Sequence, residues 1–190
     1  VTNDLLDCPA DALIVGASNI TIDLNGHIID GVGLGSGIVN PQFDSVTIAN
    51  GTVREFDTGV DLRPGSLFNV VSDMIVTMNQ LQGIALSDAD NATVRNNNVT
   101  MNPMGIVLYA GTRGTLVREN TVSTNAGDGI RLEFAPSNRI EDNNVGSNDG
   151  FGIVVEGSGL STITGNTLNL NAGGGIAIGA EALPSNDNLI

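Results

Sequence analysis

The chain has no tryptophan, no lysine, and only one cysteine, one histidine and one tyrosine in 190 residues. Each scarcity removes a class of explanation. With Cys8 alone, no internal disulfide can form, and cysteine usage leaves the compartment open. The seven basic residues, all arginine, face 21 acidic ones, for a net charge of −14. Nothing forms the basic patch that a phosphate backbone needs, so nucleic acid is excluded as a partner. No run approaches the roughly 18 consecutive apolar residues of a membrane-spanning helix. No basic n-region precedes an apolar run, so any secretion signal lies upstream or has been removed. Helical periodicity is missing as well. No segment carries apolar residues at i, i+3, i+4 and i+7 over three turns, and 25 glycines oppose helices.

The acids are mostly aspartate, 15 Asp to 6 Glu. Such a charge keeps a chain soluble but self-repelling, a trait of proteins adapted to high salt. Hyperthermophile chains lean instead toward Lys and Glu. The composition therefore points to a salt-loving source, with a generic acidic secreted protein as the other reading.

What the chain does have is a period. Ile48, Val71, Val94, Val117, Ile140 and Ile163 stand 23 residues apart, and so do Val53, Val76, Val99, Val122, Val145 and Leu168. Two asparagine series keep the same step: Asn97, Asn120, Asn143 and Asn166, then Asn79, Asn102, Asn125, Asn148 and Asn171. A repeat of this size is one small unit stacked many times, each too short to bury an apolar face alone. Residues 1–190 therefore read as one domain: degenerate opening coils over 1–42, regular coils over 43–183, and the start of a truncated coil at 184–190.

One unit runs from Ser137 to Gly159 and holds three apolar–polar alternations, at Asn138–Glu141, Asn144–Gly146 and Ile153–Val155. Period-two alternation punctuated by Asn and Gly predicts three strands and three turns. The chain is all-β, winding once per repeat and pairing each strand with its equivalents above and below, for about seven to eight coils. Ile140, Val145, Ile153 and Val155 point inward with their stack mates, and Phe134 is expected to join them, two residues after Leu132. Stacked side-chain amides both donate and accept, so the asparagine columns should hydrogen-bond along the axis. A Gly-Ile step recurs at Gly83-Ile84, Gly105-Ile106, Gly129-Ile130, Gly152-Ile153 and Gly175-Ile176, with a variable turn before it. Loops that vary between constant strands are where function is grafted.

The recurring N-x-V…N-x-x-G-I pattern and the opening segment Ser18-Asn19-Ile20-Thr21-Ile22-Asp23-Leu24-Asn25-Gly26-His27 resemble the right-handed parallel β-helix of the pectin-lyase-like superfamily. The nearest group includes carbohydrate-binding and sugar-hydrolase modules and the copper-site maturation protein of nitrous oxide reductase. The resemblance implies a single right-handed β-helix, three short strands per coil and about 23 residues each. It leaves the activity open, because the same repeat hosts lyases, hydrolases, epimerases, adhesins and inert spacers. The family's catalytic sets do not carry over. There is no lysine, no Gly-His-Gly and no aspartate-rich His motif of the alginate-epimerase kind, and His27 belongs to the opening coil. The reading leans away from an enzyme.

One constellation remains on the outward side of the third strand. Glu133 and Glu156 should neighbour each other on adjacent coils, with Arg131 and Tyr109 close by. Two carboxylates at strand spacing raise one another's proton affinity, as an acid/base pair requires, and suit the shorter glycosidase separation. The same pair, joined by Asp128 or Asp149, has the oxygen ligands that Ca2+ prefers; no other cofactor is implied. A solvated acidic face partly neutralised by Arg131 is the third reading. The expectation is a secreted or cell-surface module, extracellular or periplasmic, with a structural and binding role toward a polysaccharide or other surface glycan. The alternatives are a polysaccharide lyase or hydrolase built on Glu133 and Glu156, and a filament subunit assembling end to end through open strand edges.

Overall fold

The computed structural model describes residues 1–179 and 188–190. Among them there is no helix, and so none long and apolar enough to cross a membrane. Every paired strand is parallel to its neighbours, in one sheet of 13 strands and one of 8. The larger sheet supplies two faces of each coil and the smaller one the third, which makes eight coils.

The register follows the 23-residue step. Val71 pairs with Val94, Val94 with Val117, Val117 with Ile140 and Ile140 with Ile163 along the first face. Val76, Val99, Val122, Val145 and Leu168 do the same along the second. Ile84, Ile106, Ile130, Ile153 and Ile176 form the third column. Val94, Val117, Ile140, Val145, Ile153 and Val155 are wholly buried. Each such side chain is stabilised by roughly 1.5–3 kcal/mol on leaving water. That burial, repeated coil after coil, is what closes the interior.

Two coils depart from three separate strands. Thr47–Arg54 and Val70–Thr77 each run through the first two faces, bending at Asn50 and Asp73, whose φ angles are 62° and 57°. The residues after those bends are Gly51 and Met74, which pair backbone to backbone. One coil later the position becomes Asn97, and the Asn97 amide oxygen takes the Met74 N–H at 3.0 Å. From there the amides replace the strand ladder at this corner, and the strand splits.

The asparagine columns form as expected. Asn97 Nδ2 donates to Asn120 Oδ1 at 3.0 Å, Asn120 to Asn143 at 2.9 Å and Asn143 to Asn166 at 2.9 Å. Asn79, Asn102, Asn125, Asn148 and Asn171 repeat the arrangement at the next corner. A third column at the remaining corner mixes residue types. Asn69, Thr115, Asn138 and Ser161 each accept the backbone N–H of the coil before. Ala92 interrupts that column, and Asn69 Nδ2, directly before it, is buried without a hydrogen-bond partner.

Phe134 is a correction. It is 46% exposed, not in the core. Its strand ends at Glu133, and Phe134 takes a left-handed turn conformation with φ 51°, so the two-residue parity from Leu132 does not reach it. Ser185, Asn186 and Asp187, in the expected truncated coil, lie outside the described residues. Asn188 accepts the Ser161 N–H at 2.7 Å, and Leu189 bridges Thr162 in parallel.

Candidate functional site

The third face is built from Gln82–Ser87, Met104–Tyr109, Ile130–Glu133 and Phe151–Glu156 on successive coils. Their in-register pairing sets two outward columns. Val107, Arg131 and Val154 stand in one; Tyr109, Glu133 and Glu156 stand in the other. Val107 and Val154 are 2% and 3% exposed although they lie outside the interior cluster. Arg131 therefore rises from an apolar floor, a setting that suits its aliphatic stem.

Its guanidinium is held from three sides. Nη1 donates to Asp128 Oδ2 at 3.0 Å, Nε to Glu133 Oε2 at 3.4 Å, and Nη2 to Glu156 Oε2. Asp128 is fixed in turn, since its other oxygen accepts the Phe151 N–H at 2.9 Å. Burial alone would pull the Arg131 proton affinity down, but the hydrogen bond to Asp128 and the charges of Glu156 and Asp128 outweigh it and leave it raised. The side chain is thus a permanent cation locked into a carboxylate cage.

The structure brings together four of the residues singled out in the sequence, Asp128, Arg131, Glu133 and Glu156, with Tyr109 paired to Glu133 one coil away. Asp149 is exposed in its turn and is not one of Arg131's ion-pair partners. No three His, Cys, Asp or Glu side chains among the described residues converge on a cation seat. The space between Asp128, Glu133 and Glu156 is taken by the guanidinium.

Two further residues extend the site. Arg63 Nε meets Asp61 Oδ2 at 2.7 Å on the same two columns. Their signal lay in the 22- to 24-residue stacking that also located Glu133, but a salt bridge between residues two apart is invisible to periodicity. Burial pushes the Tyr109 phenol above its ordinary value and the Asp61 charge adds to it, while contact with Ser87 and the charge of Arg63 oppose it. Since the folded value lies above the unfolded one, the associated stability is present below about pH 10 and is lost as pH rises through the folded value. Tyr109 is the sole tyrosine and tryptophan is absent, so phenolate absorbance reads it alone. The expected titration midpoint is above about 10 in the folded protein and returns to about 10 in urea. A folded midpoint at or below the urea value would contradict this environment.

A family model described as the right handed beta helix region matches residues 36–189. No curated protein matches the sequence significantly. Among solved structures, the A-module of mannuronan C-5 epimerase AlgE4 from Azotobacter vinelandii superposes with a TM-score of 0.71 at 17% identity. That match covers 90% of this chain and 58% of the module, so this chain spans less than two thirds of that structure's length. An alginate lyase from Paenibacillus sp. str. FPU-7 gives 0.55 at 12% identity, over 97% of this chain and 92% of the other. A DFA-IIIase from Arthrobacter chlorophenolicus A6, in complex with DFA-III, gives 0.56 at 14%, over 96% and 63%. At these identities the likeness is one of fold.

Proposed function

This chain belongs to the right-handed β-helix family, and on that premise we propose that it is a rigid glycan-binding module of a secreted or cell-surface protein, not a catalyst. The observation that carries this reading is the Arg131 cage. Asp128, Glu133 and Glu156 all pair with one fixed guanidinium, which shapes a contact surface and fills the space between these carboxylates where a reacting group would sit. The solved structures of the same fold named above are an epimerase, a lyase and a DFA-IIIase, which makes a glycan the natural first ligand class to test. A neutral glycan suits a chain of charge −14 better than a polyanion does.

The second reading, a lyase or hydrolase, draws on the direct pairing of Glu133 with Glu156 across adjacent strands. One experiment separates the two. The parent and the Glu133→Gln/Glu156→Gln variant are incubated with a panel of neutral and anionic polysaccharides, with and without Ca2+, and both retention and product formation are followed. The binding reading expects retention without product. Product formed by the parent and lost by about 10²-fold or more in the variant establishes the enzyme instead. If Ca2+ displaces Arg131 from the cage, it raises the melting temperature of the parent and not of the variant. A mass that grows with concentration supports end-to-end assembly.

The high-salt habitat is part of the same proposal. All seven arginines already have a carboxylate at 3.9 Å or closer, so the excess acids repel without local relief. Screening shrinks from about 10 Å at 0.1 M salt to about 3 Å at 1 M, and the melting temperature is expected to climb across that range. A flat or falling melting temperature would remove the halophilic part of the proposal.

A further inference from the structure

The second face of the coil carries a surface unlike the rest of the molecule. Its outward positions pair in two straight columns, Ile75–Asn98–Thr121–Asn144–Thr167 and Thr77–Thr100–Ser123–Gly146–Asn169. None of these ten residues is charged, in a chain of net charge −14. The first face, by contrast, carries Arg95, Arg118, Arg139 and Glu141, and the third carries Asp61, Arg63, Arg131, Glu133 and Glu156. Among the described residues, charge on the second face is confined to the N-terminal end, where Arg54 is hydrogen-bonded to Asp30 at 2.9 Å.

The chemistry of this strip is hydroxyl and amide. Asn98, Thr121, Asn144 and Thr167 are exposed, and Thr100 Oγ1 donates to Thr77 Oγ1 at 3.2 Å. Parallel in-register strands place equivalent groups about 4.8 Å apart along the axis and about 6.6 Å apart along each strand. That grid carries a hydroxyl or amide at eight of its ten positions, with Ile75 and Gly146 the exceptions, and repeats on the scale of a single sugar ring. One edge alternates in character along the axis, with Met78, Met101 and Leu170 exposed in the following turn and the exposed Thr124 and Ser147 between them. Its apolar members suit the C–H face of a pyranose. The other edge follows the left-handed corner through Asp73, Asn96, Glu119 and Asp142, where Arg95 and Arg118 lie 3.9 Å from Asp73 and Glu119.

We propose that this second face docks an uncharged polysaccharide lying along the coil axis. Charge decides among the occupants. A polyanion finds no cation in either column and meets a chain of net charge −14. A polycation finds no carboxylate in either column. A second copy of the chain brings its own −14 charge toward the first. A neutral polymer rich in hydroxyls meets no charge penalty and finds a hydroxyl or amide at eight of the ten positions. The surface is separate from the Arg131 cage, and only the choice of a glycan rests on the reading proposed above.

The test is retention on microcrystalline cellulose and on immobilised mannan, with alginate as the anionic comparison, in low and in high salt. The parent is expected to be retained on at least one neutral polymer, not on alginate, and to the same extent at both salt concentrations, since no ion pair is involved. Thr121→Glu plants an unpaired charge at the centre of the grid and is expected to weaken retention by about tenfold or more, whereas Thr121→Ser keeps it. Thr121 is an exposed strand position, and an unchanged melting temperature in both variants confirms folding. Undiminished retention of Thr121→Glu overturns the proposal; if Glu133→Gln/Glu156→Gln then loses retention, the polymer sits on the third face. Failure of the parent to hold any polymer in the panel overturns both readings together. A dimer that dissociates in Thr121→Glu, without polymer retention, gives the face to a second copy and also overturns it.

Discussion

Replacing Asn120 with alanine lowers the unfolding free energy by about 3–5 kcal/mol, because several buried polar groups lose their partners in one step. Asn120 is 1% exposed. Its Oδ1 accepts both the backbone N–H and the side-chain Nδ2 of Asn97, each at 3.0 Å. Its Nδ2 donates to Val94 O at 2.9 Å and to Asn143 Oδ1 at 2.9 Å. Alanine offers none of these, and the buried corner admits no replacement from the chain. An unmade buried hydrogen bond costs about 1–3 kcal/mol, and the ladder leaves more than one behind. Asn144, exposed on the second face as the first residue of the strand Asn144–Gly146, provides the comparison: Asn144→Ala should stay within about 0.5 kcal/mol. Urea unfolding at fixed salt measures both, through the midpoint at constant slope. An Asn120→Ala loss below about 1 kcal/mol would mean that the ladder decorates the fold without stabilising it.

The second large effect is steric. Gly83→Ala is expected to cost about 3 kcal/mol through overpacking, with no help from backbone strain. A Cβ at Gly83 would lie 2.5 Å from Val99 Cγ1, 2.8 Å from Gly105 O and 2.9 Å from Asn102 Nδ2. The valine can shift; the carbonyl and the ladder amide are tied into the neighbouring coil. The same urea series reads the loss. Adding Val99→Ala should recover only part of it, and the coupling between the two sites should be non-zero because they touch. A Gly83→Ala protein as stable as the parent would show that the interior corner is looser than its contacts imply.

This glycine explains a pattern that periodicity exposes without its cause. The Gly-Ile step is visible in the sequence, but only packing reveals that Gly83, Gly105 and Gly129 each face a valine of the next coil and the carbonyl of the next glycine. The aliphatic and asparagine columns were legible because each rung repeats the same residue type at one spacing. The third corner was not, since Asn69, Thr115, Asn138 and Ser161 do one job with three side chains. The turns were half legible. Left-handed backbone was foreseeable at asparagine and glycine, yet Glu119, Met101 and Leu170 adopt it with φ of 55°, 56° and 57°. There the corner ladders on either side dictate the chain path and local preference yields. At the candidate site, stacking placed Glu133 beside Glu156 correctly. It also placed Arg131 nearby as a partial neutraliser, but not as the centre of a three-carboxylate cage, because side-chain direction and ion pairing are decided by adjacent coils together.

Strict parallel register has a consequence for how such a molecule can change over generations. Each winding bonds only to the one before and the one after, so duplicating 23 residues adds a storey without disturbing any contact elsewhere. Its reach can lengthen or shorten by increments of about 4.8 Å while every existing layer keeps its neighbours. Selection can thus tune the molecule's span as one adds or removes bricks, independently of the chemistry displayed on any wall.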